Sequence, residues 1–214
     1  KWKERVVLDT LVKIGEFNPG FLKEISSPVS GCADSWFYRN KMEYSFGSAS
    51  CYNGNDDGSS GSNSSSDSGG GNTCHRLILG LHPPKKWRDV FDLEECFLQS
   101  GQSVKIMNGV RKWAKGKDLS VFDSRAQKGL LRNLVVREGK NTDELMVNLI
   151  MNGEDFSLAQ EFTEWIMSAF PKITSLYRTA VKIQRGYKTV TKEFHLTGKK
   201  TLTEKLRVVD SGGT

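Results

Sequence analysis

The chain has 214 residues, 37% of them hydrophobic and 26% charged, with a formal net charge of +6. That length can bury a sizeable core, as one large domain or two small ones. No apolar run approaches the roughly 18 residues that a bilayer span needs, and no signal peptide opens the chain, so no membrane partner is expected.

Lys1 to Ile14 carries apolar residues at helical spacing (Trp2, Val6, Val7, Leu11, Val12, Ile14), and Gly15 is placed to end that helix. Pro19-Gly20 and the Ser/Pro/Gly run at 26–31 read as turns. From Trp36 the pattern alternates. One face reads Trp36, Tyr38, Asn40, Met42, Tyr44, Phe46, which predicts a core face with one amide in it. The other reads Phe37, Arg39, Lys41, Glu43, Ser45, a charged face that must meet water or a charged partner.

Gly47 to Thr73 holds nine Ser, seven Gly, four Asn and three Asp in 27 residues. Such a stretch cannot bury enough apolar surface to offset its chain entropy, so 47–73 is expected to be a disordered insertion within a hairpin. Arg76–His82 predicts its second strand, stopped by Pro83-Pro84, and Val90–Phe97 a weaker one. Gln99–Lys115 predicts a second helix with Ser103 as its N-cap. Leu130–Glu138 and Glu144–Met151 read as a strand pair. A third helix starts at Ser157 with Gln160 completing a capping box, and strands Thr174–Ile183 and Tyr187–Leu196 follow. Short connections between neighbouring strands predict an α+β fold: a mostly antiparallel sheet with about three helices packed on one face and the other left for a ligand.

Charge is unevenly spread. Residues 172–207 hold ten Lys or Arg against Glu193 and Glu204, a local +8, which is the footprint of phosphate-backbone binding or of a solvated basic face. Basic side chains on strands are the candidates for phosphate contact: Arg39 and Lys41 on one face, Arg132 and Arg137 on opposite faces of theirs, and Arg178 with Lys182 on another. Tyr38, Tyr44 and Tyr177 either stack unpaired bases or fill the core. Catalytic patterns are absent: no glycine-rich phosphate loop, no HExxH and no GxSxG, and His75, His82 and His195 are scattered. Cys32, Cys51, Cys74 and Cys96 form no CxxC pair. A disulfide between Cys51 and Cys74 could close the insertion, but reduced thiols are expected. Location inside the cell is expected, with cytosol, nucleus and organelle open.

The string Trp36-Phe37-Tyr38-Arg39-Asn40-Lys41-Met42-Glu43-Tyr44-Ser45-Phe46-Gly47 resembles the YRNK strand of the RNA uracil-C5 methyltransferase family. Leu79–His82, the acidic-then-cysteine run Asp92–Cys96, Leu131–Gly139 (LRNLVVREG) and, more loosely, Leu202–Leu206 are similar to further segments of that family in the same order. The resemblance implies a central α+β domain, residues 1–214, of an S-adenosylmethionine-dependent enzyme that methylates C5 of a uridine in tRNA or ribosomal RNA. In that family a cysteine attacks C6 of a flipped-out base. It also implies that the catalytic, cofactor-binding domain is absent from the chain, so that RNA is the partner of a monomer inactive by itself. No catalytic or S-adenosylmethionine-binding residue is carried over. In the iron–sulfur branch of the family three ligands of a 4Fe–4S cluster lie just before the first helix of this chain and the fourth stands where Cys96 does, so the resemblance implies a cluster role for Cys96 in the full-length protein only; a buried free cysteine is the other reading. The alternative function is a non-enzymatic RNA-binding adaptor derived from the same family.

Overall fold

The computed structural model describes residues 2–32, 34–51, 74–86, 88–183 and 188–206. They form two compact units, 1–35 and 36–214. The first holds helices α1 (Trp2–Lys13) and α2 (Pro19–Ile25). The apolar stripe of α1 is there, yet none of its residues is buried. Pro19-Gly20, expected as a turn, opens α2 instead. Asn18 caps it by accepting from the Gly20 and Phe21 amides, and proline fits the first helical position because the N–H it lacks would have no helical partner.

The second unit is a seven-stranded sheet: β1 (Lys41–Cys51), β2 (Cys74–Leu81), β3 (Phe91–Asp92), β4 (Leu131–Glu138), β5 (Leu145–Asn152), β6 (Ser175–Lys182) and β7 (Val190–Gly198), in the order β3-β2-β1-β4-β5-β6-β7. Five of its six pairings are antiparallel, as expected; β5 and β6 run parallel. The connection between them contains helix α4 (Ala159–Ala169), long enough for a crossover, so the preference of short connections for antiparallel neighbours does not apply there. The hairpin that carries the low-complexity stretch is formed, with Cys51 opposite Cys74. Gly47–Cys51 belong to β1 rather than to a loop; residues 52–73, and the side chains of Cys51 and Cys74, lie outside the described residues.

Helix α3 (Gly101–Gly116) and α4 cover one face of this sheet. Ile106, Met107, Val110, Trp113 and Ala114 of α3 and Phe162 and Ile166 of α4 share a core with Met42, Tyr44, Leu134, Val136, Val147, Leu149 and Met151 from the strands. Trp113 joins the two helices, its ring 5.0 Å from Phe162 and 5.5 Å from Trp165. On β5 every second residue is buried and the residues between are half-buried, which is the signature of one covered and one open face.

The predicted start of the first strand is corrected. Met42, Tyr44 and Phe46 are buried as expected, but Trp36 and Tyr38 are 63% and 58% exposed. Phe37 takes a positive φ of 55°, which breaks the extended run, and residues 36–39 instead lie along 97–98 through Phe37 N–H to Phe97 O and Arg39 N–H to Leu98 O. Asn40 is exposed, and its carbonyl accepts from the Glu138 amide, so it is not the buried amide that alternation predicted. Val90–Phe97 contracts to the two residues of β3.

Candidate functional site

The open face is an ordered lattice, because the strand registers fix which side chains stand side by side. Residues paired across strands lie about 5 Å apart and successive rows about 7 Å apart. One row runs Lys41, Arg137, Met146; the next runs Glu43, Val135, Asn148, Tyr177, His195; the third runs Ser45, Asn133, Ile150, Thr179, Glu193. A cavity of about 420 Å³ sits over these rows, walled by Lys41 and Glu43 at one side and Thr191, Glu193 and Lys200 at the other. Val135, Met146 and Ile150 give it an apolar floor, into which Arg137, Asn148, Tyr177 and Thr179 set polar groups.

Several of these groups are held in place. The Asn148 amide and Thr179 hydroxyl pair across β5 and β6, at 2.9 Å from Nδ2 and 3.1 Å from Oδ1. The Tyr177 hydroxyl donates to the Lys200 carbonyl at 2.7 Å, and its ring lies 5.0 Å from that of His195. Lys41 and Glu43 form a loose pair at 3.7 Å with both side chains about half exposed, worth little in water. The side chains of Arg137, Glu193 and Lys200 have no hydrogen-bond or ion-pair partner among the described residues. Other charges beside the sheet are paired: Lys140 with Glu138 at 2.6 Å, Lys199 with Glu144 at 2.6 Å, Lys192 with Glu154 at 2.5 Å. Charge left unpaired at the cavity is what a polar ligand can use.

At the far end of the lattice Ser45 Oγ lies 2.9 Å from His82 Nε2, His82 Nδ1 lies 2.8 Å from the Asp89 carbonyl, and Asn133 donates to Ser45 Oγ at 3.1 Å. A ring N–H at Nδ1 facing that carbonyl leaves Nε2 to accept from the Ser45 hydroxyl. The polar character of the face thus continues to the edge of β2.

Of the basic residues singled out in the sequence, Lys41 and Arg137 come together here as row neighbours. The other four do not join them. Arg39 precedes β1 and is exposed, with Nη1 3.5 Å from Met42 Sδ. Arg132 sits at a β-bulge, where the β4–β5 register shifts between Leu131 and Asn133, and stacks 3.9 Å from the Phe122 ring centre. The bulge also returns Leu131 to the buried face with Leu134 and Val136, so strict alternation misassigns this end of β4. Arg178 lies with Leu176 and Ala180 on the opposite face of β6 from Tyr177 and Thr179, is only 7% exposed, stacks on Phe194 at 4.0 Å and donates to the Glu154 carbonyl at 2.6 Å. Burial pulls its guanidinium pKa down. Lys182, on the same face, is exposed at the end of β6. Glu43, Asn148, Thr179, Glu193 and Lys200 were not singled out. Asn148 among the apolar residues of β5 was the legible signal, but placing it beside Thr179 needs the parallel β5–β6 register. Of the three tyrosines, Tyr44 is wholly buried with its hydroxyl 3.4 Å from Gln99 Oε1, Tyr38 is exposed, and Tyr177 alone lines the cavity.

The cavity does not fit S-adenosylmethionine, and of the ligands that the resemblance implies for a 4Fe–4S cluster the described residues supply Cys96 alone. S-adenosylmethionine, like other nucleoside cofactors of open sheets, binds outside the carboxyl ends of parallel strands. This cavity lies over the middle of a largely antiparallel sheet. A 4Fe–4S cluster needs converging thiolates. Cys96 is 8% exposed within the core, and among the described residues no group of three or more His, Cys, Asp or Glu is placed to hold a metal ion. No helix among them is long and apolar enough to cross a membrane.

No protein-family model matches the chain. Curated relatives do. A protein of Bacteroides thetaiotaomicron named as an RNA methyltransferase is 34% identical over 179 residues, 82% of this chain and 36% of its own length. One of Staphylococcus aureus (strain COL), also named as an RNA methyltransferase, is 30% identical over 146 residues, 68% of this chain and 27% of its own. Among solved structures, the tRNA (uracil-54, C5)-methyltransferase of Pyrococcus abyssi, crystallised with S-adenosyl-L-homocysteine, matches with a TM-score of 0.51 at 18% identity, over 81% of this chain and 34% of that one. The last match establishes a shared fold. The chain spans about a third of the length of these relatives, and its sequence is similar to that of proteins named as RNA methyltransferases.

Proposed function

We propose that this chain is the RNA-positioning central domain of an S-adenosylmethionine-dependent RNA (uracil-C5) methyltransferase acting on tRNA or ribosomal RNA. The observation that carries this reading is the open sheet face, where Lys41, Arg137 and Lys200 stand around a cavity in a fold shared with a tRNA uracil methyltransferase. Lysine and arginine so placed bind phosphates, fixing the register of an RNA strand without reading its bases. Tyr177, its hydroxyl tied to the Lys200 carbonyl, supplies a ring on which an unpaired base can stack. On this reading the methyl donor, the nucleophilic cysteine and the proton-abstracting base belong to the remainder of the whole protein, and this domain contributes orientation. Holding the target nucleotide in place replaces an entropic cost that the chemical step would otherwise meet.

The test is binding of a folded tRNA transcript and a ribosomal RNA hairpin by fluorescence anisotropy across a salt series, with a methyl-transfer assay in parallel. Affinity that falls steeply with salt, together with no methyl transfer, is the expected result. Absence of RNA binding at low salt, or methyl transfer by the chain alone, overturns the proposal.

A further inference from the structure

The cavity does not look like a plain phosphate groove, because carboxylates share it with the cations. Glu193 stands beside Thr179 in the β6–β7 register, and Thr179 is bonded to Asn148; Arg137 and Lys41 occupy the side formed by β4 and β1. A carboxylate without an ion-pair partner is poorly suited to face a phosphate. It is well suited to accept from adjacent N–H donors. We propose that this cavity is a subsite for one unpaired guanine base of the RNA, which rests on the reading of the domain as RNA-positioning.

The argument is one of matching edges. Guanine presents two neighbouring donors, N1–H and the N2 amino group, along one edge, and two neighbouring acceptors, O6 and N7, along another. Adenine places an acceptor next to its amino donor, cytosine does the same, and uracil flanks its single N3–H with two carbonyls. Each of those three would turn an acceptor toward the Glu193 carboxylate. Arg137 can take O6 and N7 together, as arginine does with guanine in nucleic acids. The Tyr177 ring, a diagonal neighbour of Glu193 on adjacent strands, supplies the stacking surface, and its bond to the Lys200 carbonyl fixes its orientation before a ligand arrives. The cavity volume of about 420 Å³ suits one nucleotide rather than a helix. The arrangement accounts for what phosphate binding alone leaves unexplained, the unpaired carboxylate amid the cations.

The experiment is fluorescence anisotropy on the full chain with three labelled hexanucleotides, UUGUUU, UUAUUU and UUUUUU, at a low and a moderate salt concentration, repeated with Glu193→Gln. The guanine-containing strand is expected to bind about tenfold tighter than the other two, the discrimination of one good bidentate contact. Glu193→Gln, whose side chain loses no hydrogen bond or ion pair among the described residues, should abolish that preference by raising affinity for UUAUUU and UUUUUU relative to UUGUUU, with an unchanged melting temperature. Equal affinities for all three strands, or a preference that survives in Glu193→Gln, overturn the guanine subsite but leave the RNA-positioning role standing if binding remains salt-dependent. Failure of every strand and of structured RNA to bind overturns both.

Discussion

Glu138 illustrates how single residues in this sheet divide between structure and ligand. Its carboxylate accepts from the Ser100 and Ser103 hydroxyls and from Lys140 Nζ, and its side chain is only 11% exposed. Burial alone would raise its pKa, but those hydrogen bonds outweigh burial and hold it below the ordinary 4.5. A depressed carboxylate stabilises the fold fully above its unfolded-state pKa, and that stability is lost as pH falls through the folded value. Melting temperature should therefore drop as pH is lowered from about 4.5, and Glu138→Gln should be less stable at neutral pH and flatter across that range, by calorimetry. Arg178 and Arg137 make the complementary pair. Arg178→Met should cost about 1–3 kcal/mol in urea denaturation, since a charged hydrogen bond to a carbonyl is lost, and leave the RNA affinity of the folded protein unchanged. Arg137→Ala should weaken RNA binding without changing stability. Both arginines look alike in the sequence, on strands and near other cations. Only the number of residues from a helix-covered neighbour, Val136 for β4 and Leu176 for β6, tells which face each one occupies.

Elements show the same division between what local pattern specifies and what tertiary context decides. The apolar stripe of α3 is legible at helical spacing: Met107, Val110, Trp113 and Ala114 are buried as that spacing predicts, Val104 is half-buried, and Ile106 joins the core beside them. Its start is not where expected. Ser100, rather than Ser103, caps α3 by accepting from the Ser103 amide, while Ser103 turns its hydroxyl to Glu138 on β4. Two serines three residues apart offer the same capping chemistry; both hydroxyls donate to Glu138, and Ser100 holds the cap because the helix starts at Gly101. Ser100→Ala should destabilise the domain by about 1 kcal/mol or somewhat more, since the cap and a bond to Glu138 go together; chemical denaturation measures it. At α4 the expected Ser157 capping box is not used: the helix begins at Ala159 without a side-chain cap, and its place is set by Phe162 and Ile166 entering the core. The periodicity of β5 is readable because one of its faces is buried, whereas the parallel β5–β6 contact, on which half of the cavity depends, has no local signature. It follows from the crossover through α4.

For the second unit as a whole, a seven-stranded sheet with α3 and α4 on one side leaves its other face without a helix of this unit over it among the described residues, and the chain lines it with paired amides, a tethered tyrosine and unpaired charges. The α+β class and the strand cations Lys41 and Arg137 are legible in the amino-acid pattern, and so is the likeness to RNA methyltransferases; the cavity is not, because it is assembled from five strands whose mutual order only the fold reveals. The claim that this face holds RNA is tested most directly by measuring the affinity of the full chain for structured RNA over a salt series, with wild type beside the double variant Lys41→Ala/Arg137→Ala. Loss of the Lys41 phosphate contact, and of a second one wherever Arg137 meets a phosphate rather than a base edge, should reduce the slope of log affinity against log salt by about 1 to 2 and weaken binding at low salt, with an unchanged melting temperature. Identical slope and affinity in the two proteins would contradict it.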